Sequence, residues 1–117
     1  RMWGGEIFVP KIPSYNILSV AKAINPKSKL KFIGIRGGEK LHEEMISKSD
    51  SVNTYEFKNY YVILPSKEYL VWNINKFLQT FSKDKVKKCK ENFSYNSFDN
   101  KPYLSVKKLK DLIFNKK

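Results

Sequence analysis

Apolar positions along this chain change their period several times, and each change predicts an element. Glu6 to Val9 reads as a short strand closed by Pro10 and Pro13. Ser14 then stands at the place of a helix N-cap, and Ile17, Val20, Ala21 and Ile24 recur at i, i+3, i+4 and i+7. That spacing gives a helix one buried stripe, ended by Asn25-Pro26. Leu30 to Ile35, with Lys29 and Lys31 outward, predicts a second strand that delivers Arg36 at its C-terminal end, and Gly37-Gly38 predicts a turn. Leu41 to Ile46 and Tyr55 to Leu64 read as further extended segments, the second stopped by Pro65, with a polar loop from Ser47 to Asn53 between them. Leu70, Ile74, Phe77, Leu78 and Phe81 keep helical spacing, although Asn73 and Asn75 weaken that reading. Ser105 caps a last helix with Val106, Leu109, Leu112 and Ile113 on one apolar face and Lys116-Lys117 at its negative dipole end.

The pattern is α/β, with short strands and a few helices. Strand, helix, strand is also the unit whose ligands bind beyond the carboxyl ends of the strands, which is where Arg36 is expected. At 117 residues the chain is one domain or part of one. Arg1-Met2-Trp3-Gly4-Gly5 runs straight into apolar Ile7-Phe8-Val9 without a signal pattern, so a fragment with its N-terminal part missing is expected. No stretch approaches the roughly 20 apolar residues of a membrane helix, and a membrane partner is not expected. Cys89 is the single cysteine, which excludes an internal disulfide and fits a reducing, cytoplasmic setting.

A net charge of +12 raises the question of a nucleic-acid partner. The densest basic run, Lys83 to Lys90, has neither arginine nor interleaved aromatics and fits a solvated face better than a reader of polyanions. The charge accompanies a general preference for Lys, Asn and Ile, so no nucleic-acid partner is expected. Several chemistries are closed to the chain. One histidine cannot build a multi-histidine metal site, and Ile46 stands where a zincin helix needs its second His. No phosphate-binding NTPase loop or G-x-G-x-x-G turn is present, and Cys89 has no His partner.

Arg36 stands out chemically. Of the 23 basic residues only Arg1 and Arg36 are arginine, and Arg36 sits in Gly34-Ile35-Arg36-Gly37-Gly38-Glu39-Lys40. A guanidinium is a planar fork that can hold a phosphate or carboxylate through two parallel hydrogen bonds, which lysine cannot do. The spacing alone leaves two readings open: an anion grip, or a structural ion pair with Glu39 or Glu43.

Three segments in order carry a resemblance. Gly4-Gly5-Glu6-Ile7-Phe8-Val9-Pro10-Lys11-Ile12-Pro13-Ser14, then Gly34 to Met45, then Phe93-Ser94-Tyr95 with Leu104-Ser105-Val106, resemble the C-terminal region of the inverting UDP-N-acetylglucosamine 4,6-dehydratases and related polysaccharide-biosynthesis proteins. These are extended short-chain dehydrogenase/reductases, and the likeness spans about residues 1 to 114. It implies a substrate-binding α/β portion at 1–65 and a C-terminal extension at 66–117 ending in a helix, with the Rossmann domain absent. NADP would be bound, and the catalytic residues supplied, by the missing N-terminal domain, leaving no cofactor or catalytic residue in this portion. The partner implied is a UDP-sugar, in an intact enzyme that forms homo-oligomers and serves surface polysaccharide synthesis as a dehydratase or a related epimerase. Arg36 matches the arginine of the family's Arg-Pro-Gly-Glu segment and would clamp the diphosphate. Glu39 would orient Arg36 or accept hydrogen bonds from substrate, and Lys40 and His42 would line the pocket rim. Gly37 departs from the family's proline, which removes a lock on φ and loosens the turn. Two other classes stay open from the residues alone. One is a basic nucleic-acid-binding domain; the other is a non-catalytic interaction module in which Trp3, Trp72 and the aromatics of 55 to 61 form an adhesive face.

Overall fold

The computed structural model describes residues 2–66, 73–81 and 83–115. Its elements are β1 (Ile7–Pro10), α1 (Ile17–Ile24), β2 (Glu44–Ile46), a 3-10 turn (Asp50–Asn53), β3 (Thr54–Glu56), β4 (Tyr60–Ile63), α2 (Ile74–Gln79), β5 (Lys87–Lys88), β6 (Tyr95–Asn96) and α3 (Val106–Phe114). The fold class is thus α/β with short strands and few helices, as expected. The chain forms two compact units that alternate in sequence: residues 1–11 with 44–95, and residues 12–43 with 96–117.

The first unit is built on a four-stranded antiparallel sheet in the order β1-β4-β3-β5, and β2 pairs with β6 in a separate two-stranded sheet. Tyr55 to Leu64, expected as one extended segment, is a hairpin instead. Its turn at Lys58-Asn59 is a polar interruption in an otherwise apolar run, and the Phe57 N–H donates to the Tyr60 carbonyl at 2.9 Å across it. Folding back puts Phe57, Val62 and Leu64 in one core with Phe77 and Phe81, while Val9, Ile46, Tyr61 and Tyr95 form a second cluster. Phe57 stacks on Tyr60 at 4.8 Å and meets Phe81 edge-on at 5.1 Å. Trp3 meets Phe77 edge-on at 5.5 Å. The 55–61 aromatics are accordingly core or half-buried residues and not an adhesive face; Trp72 lies outside the described residues.

α2 is shorter than the apolar spacing implies, and Leu70 also lies outside the described residues. Asn73, which weakened the helix reading, begins the helix: its Oδ1 accepts from the Asn75 N–H at 2.8 Å and the Lys76 N–H at 3.4 Å. Leu41 to Ile46 is strand only over β2, and Ser47 to Asn53 contains the 3-10 turn. The lysine run supplies β5, an exposed edge strand, where charged side chains discourage further pairing.

The second unit holds α1 packed against α3. α1 is capped by Asn16, whose Oδ1 accepts the Leu18 N–H at 2.8 Å, and not by Ser14. Ser14 is drawn off into a parallel bridge with Tyr103, donating its N–H to the Pro102 carbonyl and accepting the Leu104 N–H, each at 2.8 Å. Ser105 caps α3 as the sequence predicts, its Oγ accepting the Lys108 N–H at 3.3 Å. Burial on both helices departs from expectation. Ala23 on α1 and Leu109 on α3 are the fully buried residues of these helices, while Ile17, Ile24 and Leu112 are exposed although they lie on the predicted apolar faces. Leu30 to Ile35 is not a strand, because strand structure requires a partner and its backbone makes no hydrogen bond among the described residues.

Candidate functional site

All four residues singled out in the sequence, Arg36, Glu39, Lys40 and His42, fall in the second unit, and all are exposed. Arg36 to Glu39 is a tight turn in which the Glu39 N–H donates to the Arg36 carbonyl at 3.1 Å. Gly38 occupies the third position at φ +85°, the left-handed region that a type II turn demands there and that glycine enters without strain. Gly37 occupies the second position, outside that region. Proline is favoured at that point of such a turn, so the glycine gives up rigidity while keeping the path.

Glu39 closes the neck of the turn a second time, its Oε2 accepting the Arg36 backbone N–H at 2.8 Å. A carboxylate bound in this way fixes the backbone of Arg36 and leaves its side chain alone. Neither Glu39 nor Glu43 pairs with the guanidinium among the described residues, so the structural ion pair left open by the sequence is not formed there. The one arginine of the described chain is an exposed fork on a doubly closed turn.

His42 is engaged elsewhere. Its ring meets Phe98 edge-on at 4.9 Å, and its Nδ1 lies 3.5 Å from Ser97 Oγ, at the outer limit of hydrogen bonding. Ser97 Oγ also accepts the Glu43 N–H at 3.0 Å, and the Ser97 N–H donates to the Glu43 carbonyl at 2.9 Å. The structure thus joins Arg36 to Glu39 through backbone contacts, anchors His42 on the 96–99 turn, and leaves Lys40 exposed between them. That turn was missed in the sequence. Asn96 Oδ1 accepts the N–H groups of Phe98 and Asp99, each at 2.9 Å, and Tyr103 OH donates to the Ser97 carbonyl at 2.6 Å. An Asn followed by Ser, Phe and Asp is a turn signal, but nothing local announces that it grips a loop 54 residues away.

The other titratable cluster lies in the first unit. Lys11 Nζ donates to Glu56 Oε1 at 2.7 Å and stands 4.9 Å above the Tyr61 ring. Burial, and then the charge of Glu56, push the Tyr61 hydroxyl up to about 12 and the Cys89 thiol up to about 11. A thiol so raised is a poor nucleophile at neutral pH, in keeping with an inert Cys89. No helix among the described residues is long and apolar enough to cross a membrane.

Residues 1–65 match the family described as polysaccharide biosynthesis protein. The chain is 51% identical over 113 residues to a UDP-N-acetylglucosamine 4,6-dehydratase (inverting) of Campylobacter jejuni, covering 97% of this chain and 34% of that protein, its C-terminal part. It is 41% identical over 63 residues to a UDP-glucose 4-epimerase of Rickettsia bellii, covering 50% of this chain and 18% of that protein. A solved structure, Pen from Bacillus thuringiensis, superposes with a TM-score of 0.67 at 26% identity, covering 96% of this chain and 32% of its own. The chain therefore spans about a third of the length of the dehydratases it matches.

Proposed function

Because the chain belongs to the polysaccharide biosynthesis protein family, we propose that it is the sugar-nucleotide-binding C-terminal part of an inverting UDP-N-acetylglucosamine 4,6-dehydratase. One observation carries the reading: Arg36, an exposed guanidinium without an ion pair among the described residues, stands on a turn that Glu39 closes from both ends. A fork so presented suits a diphosphate, whose two phosphates offer oxygens for parallel charge-assisted hydrogen bonds. In this reading Glu39 is a positioning residue, holding the Arg36 backbone, and Lys40 and His42 sit at the rim of the sugar-nucleotide pocket. UDP-sugar as the substrate class agrees with the names of both the dehydratase and the epimerase relatives, and the dehydratase is favoured by the longer and closer match.

The remaining two thirds of such an enzyme would supply the Rossmann domain and the catalytic residues. NADP held there would take up and return the hydride that a 4,6-dehydration requires. No dinucleotide-binding turn occurs in this sequence, so cofactor binding is assigned wholly to that remainder. The division into a substrate-binding portion at 1–65 and an extension at 66–117, the homo-oligomeric state and the cytoplasmic setting belong to the same proposal.

The test is calorimetry of UDP-N-acetylglucosamine binding to a full-length chimera in which this chain replaces the matching third of the Campylobacter dehydratase. Arg36→Ala is expected to weaken binding by about tenfold or more, since a charge-assisted bond contributes roughly 1.5 to 3 kcal/mol. Arg36→Lys is expected to lose affinity too, because a point charge does not replace the fork. Unchanged affinity in Arg36→Ala would sink the reading.

A further inference from the structure

The loop from Arg36 to Glu43 is exposed at every position, so packing does not hold it. Its first half is closed locally by Glu39. Its second half depends on Ser97, whose polar groups are all engaged. The Ser97 N–H donates to the Glu43 carbonyl at 2.9 Å, its carbonyl accepts from Tyr103 OH at 2.6 Å, and its Oγ accepts the Glu43 N–H at 3.0 Å. The turn that carries Ser97 is itself fixed by Asn96 Oδ1, and Asn100 Nδ2 ties it to the Ile12 carbonyl at 2.8 Å and to Ser14 Oγ at 2.9 Å. All of these residues belong to the second unit.

A serine hydroxyl has two acceptor lone pairs and one proton to donate. One lone pair takes the Glu43 N–H, and the acceptor in reach of the proton among the described residues is His42 Nδ1, 3.5 Å away. Phe98 meets the imidazole edge-on at 4.9 Å with 71° between the ring planes, which restricts rotation of the His42 ring. A neutral imidazole that accepts at Nδ1 carries its proton on Nε2. On this exposed ring Nε2 has no hydrogen-bond partner among the described residues.

We propose that Ser97 is a positioning residue of the sugar-nucleotide site, which holds His42 with Nδ1 turned to the hydroxyl and Nε2–H outward as a hydrogen-bond donor to an acceptor oxygen of the bound UDP-sugar. The step to the ligand rests on the function proposed above; the state of the ring does not. His42 so held is a donor and not a base, because the nitrogen that would accept a proton already accepts the Ser97 O–H. A loop containing Gly37 and Gly38 has much conformational freedom to lose, and a tether at its far end removes part of that loss before the ligand arrives.

The ring is tested on this chain, whose single histidine leaves no overlap of signals. Ring nitrogen-15 NMR at alkaline pH is expected to show the proton on Nε2, and Ser97→Ala to shift the ring toward the mixed tautomers of a free imidazole. An identical ring in both chains overturns the proposal, and so does a proton on Nδ1 in the unaltered chain. The ligand step is tested by calorimetry of UDP-N-acetylglucosamine on the full-length chimera. Ser97→Ala is expected to weaken binding about three- to tenfold, the loss of one hydrogen bond, and Ser97→Thr, which keeps the hydroxyl, to retain affinity. Once His42→Ala is present, Ser97→Ala is expected to cost little more. Full additivity of the two losses, or unchanged affinity in Ser97→Ala, overturns the positioning role. If Arg36→Ala weakens binding and Ser97→Ala does not, the positioning role alone has failed; if neither does, the proposed function has failed with it. A chimera that does not fold leaves the ring measurement to decide.

Discussion

The two units spend their apolar residues in opposite ways. In the first, Phe57, Phe77 and Phe81 gather behind the sheet, and Phe77 is 0% exposed. In the second, Phe32 is 79% exposed and most large side chains of α1 and of the 30–35 stretch face solvent, with Ala23 and Leu109 as the buried residues of its helices. The candidate site sits wholly in the unit with the exposed apolar side chains, while the unit that buries both aromatic clusters carries no residue of the site.

That contrast can be broken most directly by paired truncations. Phe77→Ala is expected to cost about 3 to 5 kcal/mol in urea unfolding, as a large core ring leaves a cavity, and Phe32→Ala to stay within about 0.5 kcal/mol. Comparable losses would erase the distinction. A pH series addresses the first unit alone. The protonated forms of Cys89 and Tyr61 are favoured in the folded state, so their contribution is complete below their ordinary values of 9.0 and 10.0 and is lost as pH rises toward about 11 and about 12. Stability is expected to fall above pH 9 by on the order of 1 to 2 kcal/mol, and Tyr61→Phe to remove part of the fall. A flat profile between pH 8 and 11 would show that the cluster is more hydrated than its packing indicates.

Smaller effects sharpen the picture of the second unit. Asn16→Ala is expected to cost about 1 kcal/mol by removing the α1 cap, read as loss of helical circular dichroism at lower temperature. Gly37→Pro is expected to stabilise by about 0.4 to 1 kcal/mol, because the second position of the turn accepts proline and the unfolded chain loses freedom. A destabilised Gly37→Pro chain would mean that the turn is not of the type its hydrogen bonds indicate.

Local signals in the sequence were reliable where the structure is local. Ser105 as a cap, the Gly37-Gly38 turn and the helical state of α1 and α3 are all decided within a few residues. Errors arose where a distant partner decides. Ser14 has the chemistry of a cap, yet Tyr103 recruits its backbone and the cap passes to Asn16. Leu30 to Ile35 has a strand's composition and no strand beside it among the described residues. The same reason explains the site. Arg36 and Glu39 were legible because they stand three positions apart, whereas the roles of Ser97 and Phe98 toward His42 depend on a contact between segments 55 positions apart. The lysine run was legible as a solvated face because an edge strand needs only to stay unpaired.

The alternation of the two units along the chain has a consequence for synthesis. Every residue of the first unit precedes Asn96, so its sheet has all its strands as soon as that point has left the ribosome. The second unit closes last: Asn100 Nδ2 reaches the Ile12 carbonyl 88 positions back, and α1 waits for α3. Residues 12–43 are thus held as a long excursion between strands of the first unit until residues 96–117 follow. Such a loop is a natural target for chaperones that bind apolar segments, and ribosome pausing beyond residue 95 would lengthen the time for which it is exposed.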